Sequence, residues 1–219
     1  MHWGIGITTA PRPSGNDLLT PTVQSLRAAG WDDCNIYVFM EPRSVVTKEQ
    51  VVTVHNSTTL GAWKNWRQSL KRLLELEPDA KMYAIIQDDL QVRPGLCRYL
   101  EATTTGPPAL YSPYTSKREH KPGTDGWFKS TTGWNFCGAC FYVMHPVVVG
   151  YLDAHLPDTV RGNLHIDAHV ANHLAKSAYS LMCHRPSLVE HMADADSTLG
   201  YKSHPAIRTA SGFIDEPIE

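Results

Sequence analysis

The chain has 219 residues, 42% of them hydrophobic and 19% charged, a length and composition that fit one folded domain and exclude a disordered chain. With 15 Gly and 15 Pro it is neither collagen-like nor of low complexity. The formal charge of −2, from 20 basic and 22 acidic residues without a basic run, argues against nucleic acid as a partner.

Trp3–Thr9 alternates like a strand and opens into Ala10-Pro11-Arg12-Pro13, a loop. Asp17–Ala29 places Leu18, Leu19, Val23, Leu26 and Ala29 at helical spacing, and Gly30 ends it. Asn35–Met40 reads as a second strand stopped by Glu41-Pro42, and Val51–Val54 as a short third. Thr59–Glu77 is the clearest helix: Leu60, Trp63, Leu70, Leu73 and Leu74 form its inward stripe and Pro78 closes it. Tyr83–Ile86 is an apolar strand running straight into Gln87-Asp88-Asp89. Strands alternating with helices predict an α/β fold with a mostly parallel central sheet flanked by helices. Ligands of such sheets bind at the carboxyl ends of the strands.

The second half is less regular. Leu100–Trp134 is rich in Thr, Gly, Pro, Lys and His and predicts loops and short strands. Phe141–Met144 reads as a strand, Asn163–Lys176 as a helix with Ile166, Val170 and Leu174 inward, and the tail from Asp194 as a long loop. No apolar run reaches the roughly 18 residues of a membrane span. The amino terminus has no basic stretch followed by an apolar one, so no secretory signal is expected. The five cysteines, at 34, 97, 137, 140 and 183, are then expected as reduced thiols of a cytoplasmic protein.

Asp88-Asp89 carries the most chemistry. Adjacent carboxylates at the end of a buried strand repel each other and cost desolvation unless a cation or hydrogen-bond donors meet them. Mg2+ and Mn2+ prefer such oxygens. A plain turn, with one Asp capping the next segment, is the alternative.

With Gln87-Asp88-Asp89-Leu90 in this place, the chain resembles glycosyltransferases of the GT-A fold, which carry a short acidic motif after the fourth strand of a nucleotide-sugar-binding half. The resemblance implies a single domain over 1–219, with residues 1–95 holding the nucleotide sugar and 96–219 forming the acceptor and closing half. It assigns Asp89 and His191 to a Mn2+ or Mg2+ ion. The donor, a nucleotide diphosphate sugar, falls to Thr8, Thr9, Arg12, Glu41, Asn56, Asn65, Gln87 and Asp88. Gly61, at the start of the long helix, lies in the same region. Arg185-Pro186-Ser187-Leu188-Val189-Glu190-His191 with Ser197-Thr198 looks like the closing segment of such enzymes. The acceptor, a glycan or another hydroxyl compound, would meet the stretch holding Trp134 and Gly138.

An inverting transferase needs a carboxylate to take the acceptor's proton, and the resemblance implies Asp167 in Leu164-His165-Ile166-Asp167; an ordinary first-turn Asp favoured by the helix dipole is the alternative. His165, His169 and His173 recur every four residues on one helix face. They read as hydrated surface histidines, or as a zinc pair in a metal-dependent hydrolase, though the His-Glu-x-x-His pattern is missing. Cys137-Gly138-Ala139-Cys140 lacks a second pair and reads as small packing residues. Trp127, Trp134 and Phe136 could stack on a sugar or fill the core. Lys202 and Arg208 could clamp a diphosphate or be solvated charge. A non-catalytic sugar- or nucleotide-binding module and a nucleotidyltransferase remain as further readings.

Overall fold

The computed structural model describes residues 1–116, 125–130, 140–160, 165–192 and 209–218. Within them the chain runs β1 (Trp3–Thr9), α1 (Leu19–Ala28), β2 (Ile36–Met40), β3 (Val52–His55), α2 (Gly61–Leu76) and β4 (Met82–Gln87). It continues with β5 (Leu90–Val92), α3 (Leu96–Thr103), β6 (Ala109–Ser112), β7 (Gly126–Lys129), β8 (Phe141–Met144) and α4 (Pro146–His155). The last elements are α5 (Ile166–Leu174), β9 (Ser180–Arg185) and β10 (Val189–His191).

Eight strands form one sheet in the order β3-β2-β1-β4-β8-β6-β9-β7, and β5 pairs with β10 apart from it. Strands β3, β2, β1 and β4 are parallel to one another. Beyond β4 the sheet is mixed: β8 runs antiparallel to β4 and β6, β6 is parallel to β9, and β7 is antiparallel to β9. The α/β fold with a central sheet flanked by helices is therefore as the sequence predicts.

Both faces of the sheet are covered, which explains why β2 and β4 read as unbroken apolar runs. Trp3, Ile5 and Ile7 of β1 face α1 and α3, packing with Leu19, Val23, Leu26, Trp31, Leu96 and Leu100. Phe39, Tyr83 and Ile85 point the other way, toward Trp66, Leu70 and Leu73 of α2 and Val148, Val149 and Leu152 of α4. On this second face β1 carries Gly4 and Gly6 ahead of Thr8 at its end. A Cβ at Gly4 would stand 2.7 Å from the Tyr83 ring, and one at Gly6 2.9 Å from the Phe39 ring, so the neighbouring aromatics fill the space that β1 vacates.

Two helices lie where no clear signal is written in the sequence. α3 begins before the Thr- and Pro-rich stretch and takes its first residues, which the sequence assigned to loops and short strands. α4 starts at His145-Pro146, with Pro in the first turn and the His145 side chain accepting from the Val147 N–H. Its Val147-Val148-Val149 run has the β-branched character of a strand, and its apolar residues are too many to show a single stripe. The part of the tail that is described, 209–218, is pinned: Ala210 N–H donates to the Glu190 carboxylate at 2.9 Å, and Ile218 N–H to the Pro94 carbonyl at 3.0 Å.

Candidate active site

The carboxyl ends of β1, β2 and β4 lie side by side, and the polar residues that follow them meet there. Thr8 of β1 pairs in register with Gln87 of β4. The chain then turns, bringing Thr9 and Arg12 onto the two carboxylates that follow β4. Asp88 and Asp89 are both buried, 6% and 5% exposed. Thr9 Oγ1 donates to Asp88 Oδ2 at 2.5 Å. The Arg12 guanidinium donates to Asp88 Oδ1 and lies 3.6 Å from Asp89 Oδ2. Burial is the strongest influence on Asp88 and pushes its carboxyl up to about 6; Arg12 pulls the other way, and the neighbouring Asp89 adds to burial.

Asp89 is tied to the far end of the chain. Its carbonyl accepts from Met192 N–H at 2.9 Å, because β5 and β10 pair just beyond it. That pairing sets His191 Nδ1 3.5 Å from Asp89 Oδ1. Tyr114, buried after β6, holds the His191 ring edge-on at 5.2 Å; nothing in its Ser-Pro-Tyr-Thr context announces this role. His191 Nδ1 is buried and has no hydrogen-bond partner among the described residues. A carboxylate oxygen and an imidazole nitrogen at this spacing fit one hard divalent cation, whose adjacent ligands stand about 3 Å apart when each bond is near 2.1 Å. Among the described residues no group of three or more His, Cys, Asp or Glu side chains is arranged to hold a metal. Such an ion would depend on phosphate oxygens and water for its other ligands, as Mg2+ commonly does.

A second layer braces these strand ends. Asn65 of α2 donates to the carbonyls of Thr9 at 3.3 Å and Phe39 at 3.4 Å, and accepts from Asn56 Nδ2 at 3.1 Å. Glu41, buried after β2, turns into the start of α2. There its Oε1 accepts the N–H groups of Leu60 at 3.1 Å and Gly61 at 2.6 Å. Gly61 has a φ of +76°, a conformation that favours glycine at this tight entry. Asn56, Asn65 and Glu41 are thus engaged with backbone and with one another, one layer behind Thr9, Arg12, Asp88 and Asp89.

Asp167 stands in the first turn of α5. Cys140 opens the approach to β8, and its carbonyl accepts from Gln87 N–H at 2.8 Å. The Cys140 thiol is buried, and its pKa is raised well above the ordinary value, first by burial and then by the carboxylates of Asp167 and Asp89. Cys140 itself packs in the core, as the packing reading of its motif expects.

The helix histidines belong to no group of three or more metal-ligating side chains among the described residues. Only His165 is exposed. The hydrated-surface reading is corrected for the other two, which are half-buried where α5 packs against α4 and β9 and where Trp63 of α2 meets His169. The His169 ring lies 4.9 Å from Trp63, and burial lowers its pKa; His173 Nδ1 is hydrogen-bonded to the His169 carbonyl at 2.8 Å. Trp127 takes the packing role, edge-on to Tyr111 at 5.0 Å and to His184 at 4.9 Å. Trp134, Phe136, Cys137, Gly138, Ser197, Thr198, Lys202 and Arg208 lie outside the described residues. Two cavities, of about 600 and 500 Å3, open near Trp3 and Cys97 and near Met82 and His145. Trp3 and Met82 begin β1 and β4, so both cavities lie at the opposite end of these strands from the acidic pair.

No protein-family model matches the sequence. No curated protein matches it either. Solved structures share the fold. TarS 1–349 from S. aureus aligns with a TM-score of 0.57 at 8% identity, over 88% of this chain and 60% of that one. HddC from Yersinia pseudotuberculosis complexed with GMP-PN aligns with a TM-score of 0.50 at 10% identity, over 84% of this chain and 89% of that one. At such identities the likeness is one of fold. No helix among the described residues is long and apolar enough to cross a membrane.

Proposed function

We propose that the chain is a metal-dependent glycosyltransferase of GT-A type, moving a sugar from a nucleotide diphosphate sugar to an acceptor hydroxyl. The observation that carries this reading is the meeting of Asp88-Asp89 with Arg12 and His191 at the carboxyl ends of the parallel strands, where such folds bind ligands. Asp89 and His191 would hold Mn2+ or Mg2+, and that ion would offset the charge of the departing nucleoside diphosphate. Thr8 and Gln87, side by side and half-buried at the strand ends, offer hydroxyl and amide groups to the nucleoside. Asp167 would take the proton from the acceptor hydroxyl as that oxygen attacks the anomeric carbon. Trp134 and Gly138 belong to the acceptor side of this reading, and a cytoplasmic location accords with it.

The test is a melting screen with UDP, GDP, CDP and dTDP, each with and without Mn2+, on the wild type and Asp89→Ala. A ligand at about 100 times its Kd adds roughly 2.7 kcal/mol, a rise of about 5–10 °C at this chain length. A Mn2+-dependent rise with one nucleotide, lost in Asp89→Ala, is expected; no rise with any of them in the wild type overturns the reading. A second reading, nucleotidyl transfer, draws on the likeness in fold to HddC, whose structure is complexed with GMP-PN. Product analysis separates the two: nucleotidyl transfer from a triphosphate releases pyrophosphate, sugar transfer a nucleoside diphosphate.

A further inference from the structure

We propose that Arg12 is the resident counter-cation of the Asp88-Asp89 pair and the residue that couples divalent-cation binding to nucleoside-diphosphate binding. The inference rests on the metal and nucleotide assignment just given. Its ground is how the carboxylate oxygens are shared out among the described residues. Thr9 holds Asp88 Oδ2, and Arg12 holds Asp88 Oδ1 while facing Asp89 Oδ2 at 3.6 Å. Asp89 Oδ1 is the oxygen that faces His191. The Arg12 side chain is only 5% exposed, so it is built into the site rather than resting on its rim.

Arg12 cancels one of the two carboxylate charges and lies against the same carboxylate that would hold a metal. A divalent cation entering alone would place two positive groups on Asp89 in a poorly solvated pocket, where like charges repel strongly. A diphosphate arriving with the cation removes that conflict, since it is an anion that both positive groups attract. Arg12 thereby makes the bare ion a poor ligand and the ion with a diphosphate a good one. By linkage the effect is reciprocal: the ion must improve nucleotide binding by the factor by which the nucleotide improves ion binding. A purely structural Arg12, fastening the β1 loop to Asp88, would give no such coupling.

Free Mn2+, followed by its paramagnetic resonance signal, reports this directly. Titrations are run with and without UDP, GDP, CDP or dTDP on the wild type, Arg12→Gln, Arg12→Lys and Asp89→Asn. In the wild type one nucleotide is expected to tighten Mn2+ binding by roughly tenfold or more, within the usual range of coupling. Arg12→Gln is expected to bind Mn2+ alone tighter by a similar factor and to lose the nucleotide's further effect. Arg12→Lys keeps the charge and must keep the coupling. The proposal is overturned if folded Arg12→Gln binds Mn2+ alone no better than the wild type, or if folded Arg12→Lys loses the coupling. Should the Gln variant not fold, the Lys variant decides. Asp89→Asn must abolish Mn2+ binding in either condition; wild-type affinity there would instead defeat the underlying metal assignment.

Discussion

Glu41 separates a nucleotide-contacting carboxylate from one that builds the frame, and replacing it distinguishes the two. α2 has no side-chain cap of its own, since Leu60 occupies the N-cap position. The Glu41 carboxylate supplies that cap from the end of β2, accepting two backbone N–H groups while 4% exposed. A lost helix cap costs about 1–2 kcal/mol, and a buried hydrogen bond to a charged group is worth about 1.5–3 kcal/mol. These are overlapping measures of one interaction, so Glu41→Ala is expected to cost about 2–3 kcal/mol. For a chain of this size that lowers Tm by about 4–12 °C. Glu41→Gln keeps an oxygen for both N–H groups and loses only the charge at the helix start, about 0.3–1 kcal/mol. Calorimetric melts of the three proteins, each with and without the nucleotide that stabilises the wild type, give the answer. If the capping role is the whole of Glu41's work, the Gln variant retains the nucleotide-induced rise with the same base preference. Wild-type Tm in Glu41→Ala would refute the capping account, and an altered base preference in Glu41→Gln would place the carboxylate on the nucleotide.

Two further outcomes are expected. Asp167→Asn should lower kcat by about 100- to 10,000-fold, the span of a lost general base, while the nucleotide-induced rise in Tm stays unchanged; steady-state kinetics beside melts check this, and wild-type turnover in a folded variant removes Asp167 from the mechanism. Glu77 should make stability depend on pH. Burial works to raise its pKa, but hydrogen bonds from Tyr37 at 2.7 Å, His2 at 2.8 Å and Asn35 at 3.5 Å outweigh burial and hold the carboxyl below its ordinary 4.5. A depressed acid stabilises the fold above its unfolded pKa, and that stability is lost as pH falls through the folded value. The Tm advantage of the wild type over Glu77→Gln should therefore shrink below about pH 4.5, and a constant gap from pH 6 to pH 3 would contradict it.

What the sequence revealed follows from how local each signal is. β1, β2, β4, α1 and α2 could be read because the apolar period, the stops at Gly30 and Pro78 and the unbroken Tyr83–Ile86 run are written within one segment each. α4 could not, since Val147-Val148-Val149 carries a strand's residue types inside a helix whose start depends on His145-Pro146. The acidic pair was legible for the same local reason: two carboxylates after a buried strand demand compensation. The compensating groups were not legible in their geometry. Arg12 meets Asp88 only because β1 and β4 are neighbours, and His191 meets Asp89 only because β5 pairs with β10 across about a hundred residues of sequence. Glu41 shows how the same ignorance of neighbours blurs function. At the end of β2 an acidic residue suits a nucleotide's base and a helix N-terminus alike, since both present N–H donors. The loop after β3 returns the start of α2 to within hydrogen-bond reach of Glu41, a proximity the local sequence does not show. Strand-end positions mark where chemistry can occur in such a fold; long-range pairing decides which side chains are left to face a ligand and which are spent holding the strand ends together.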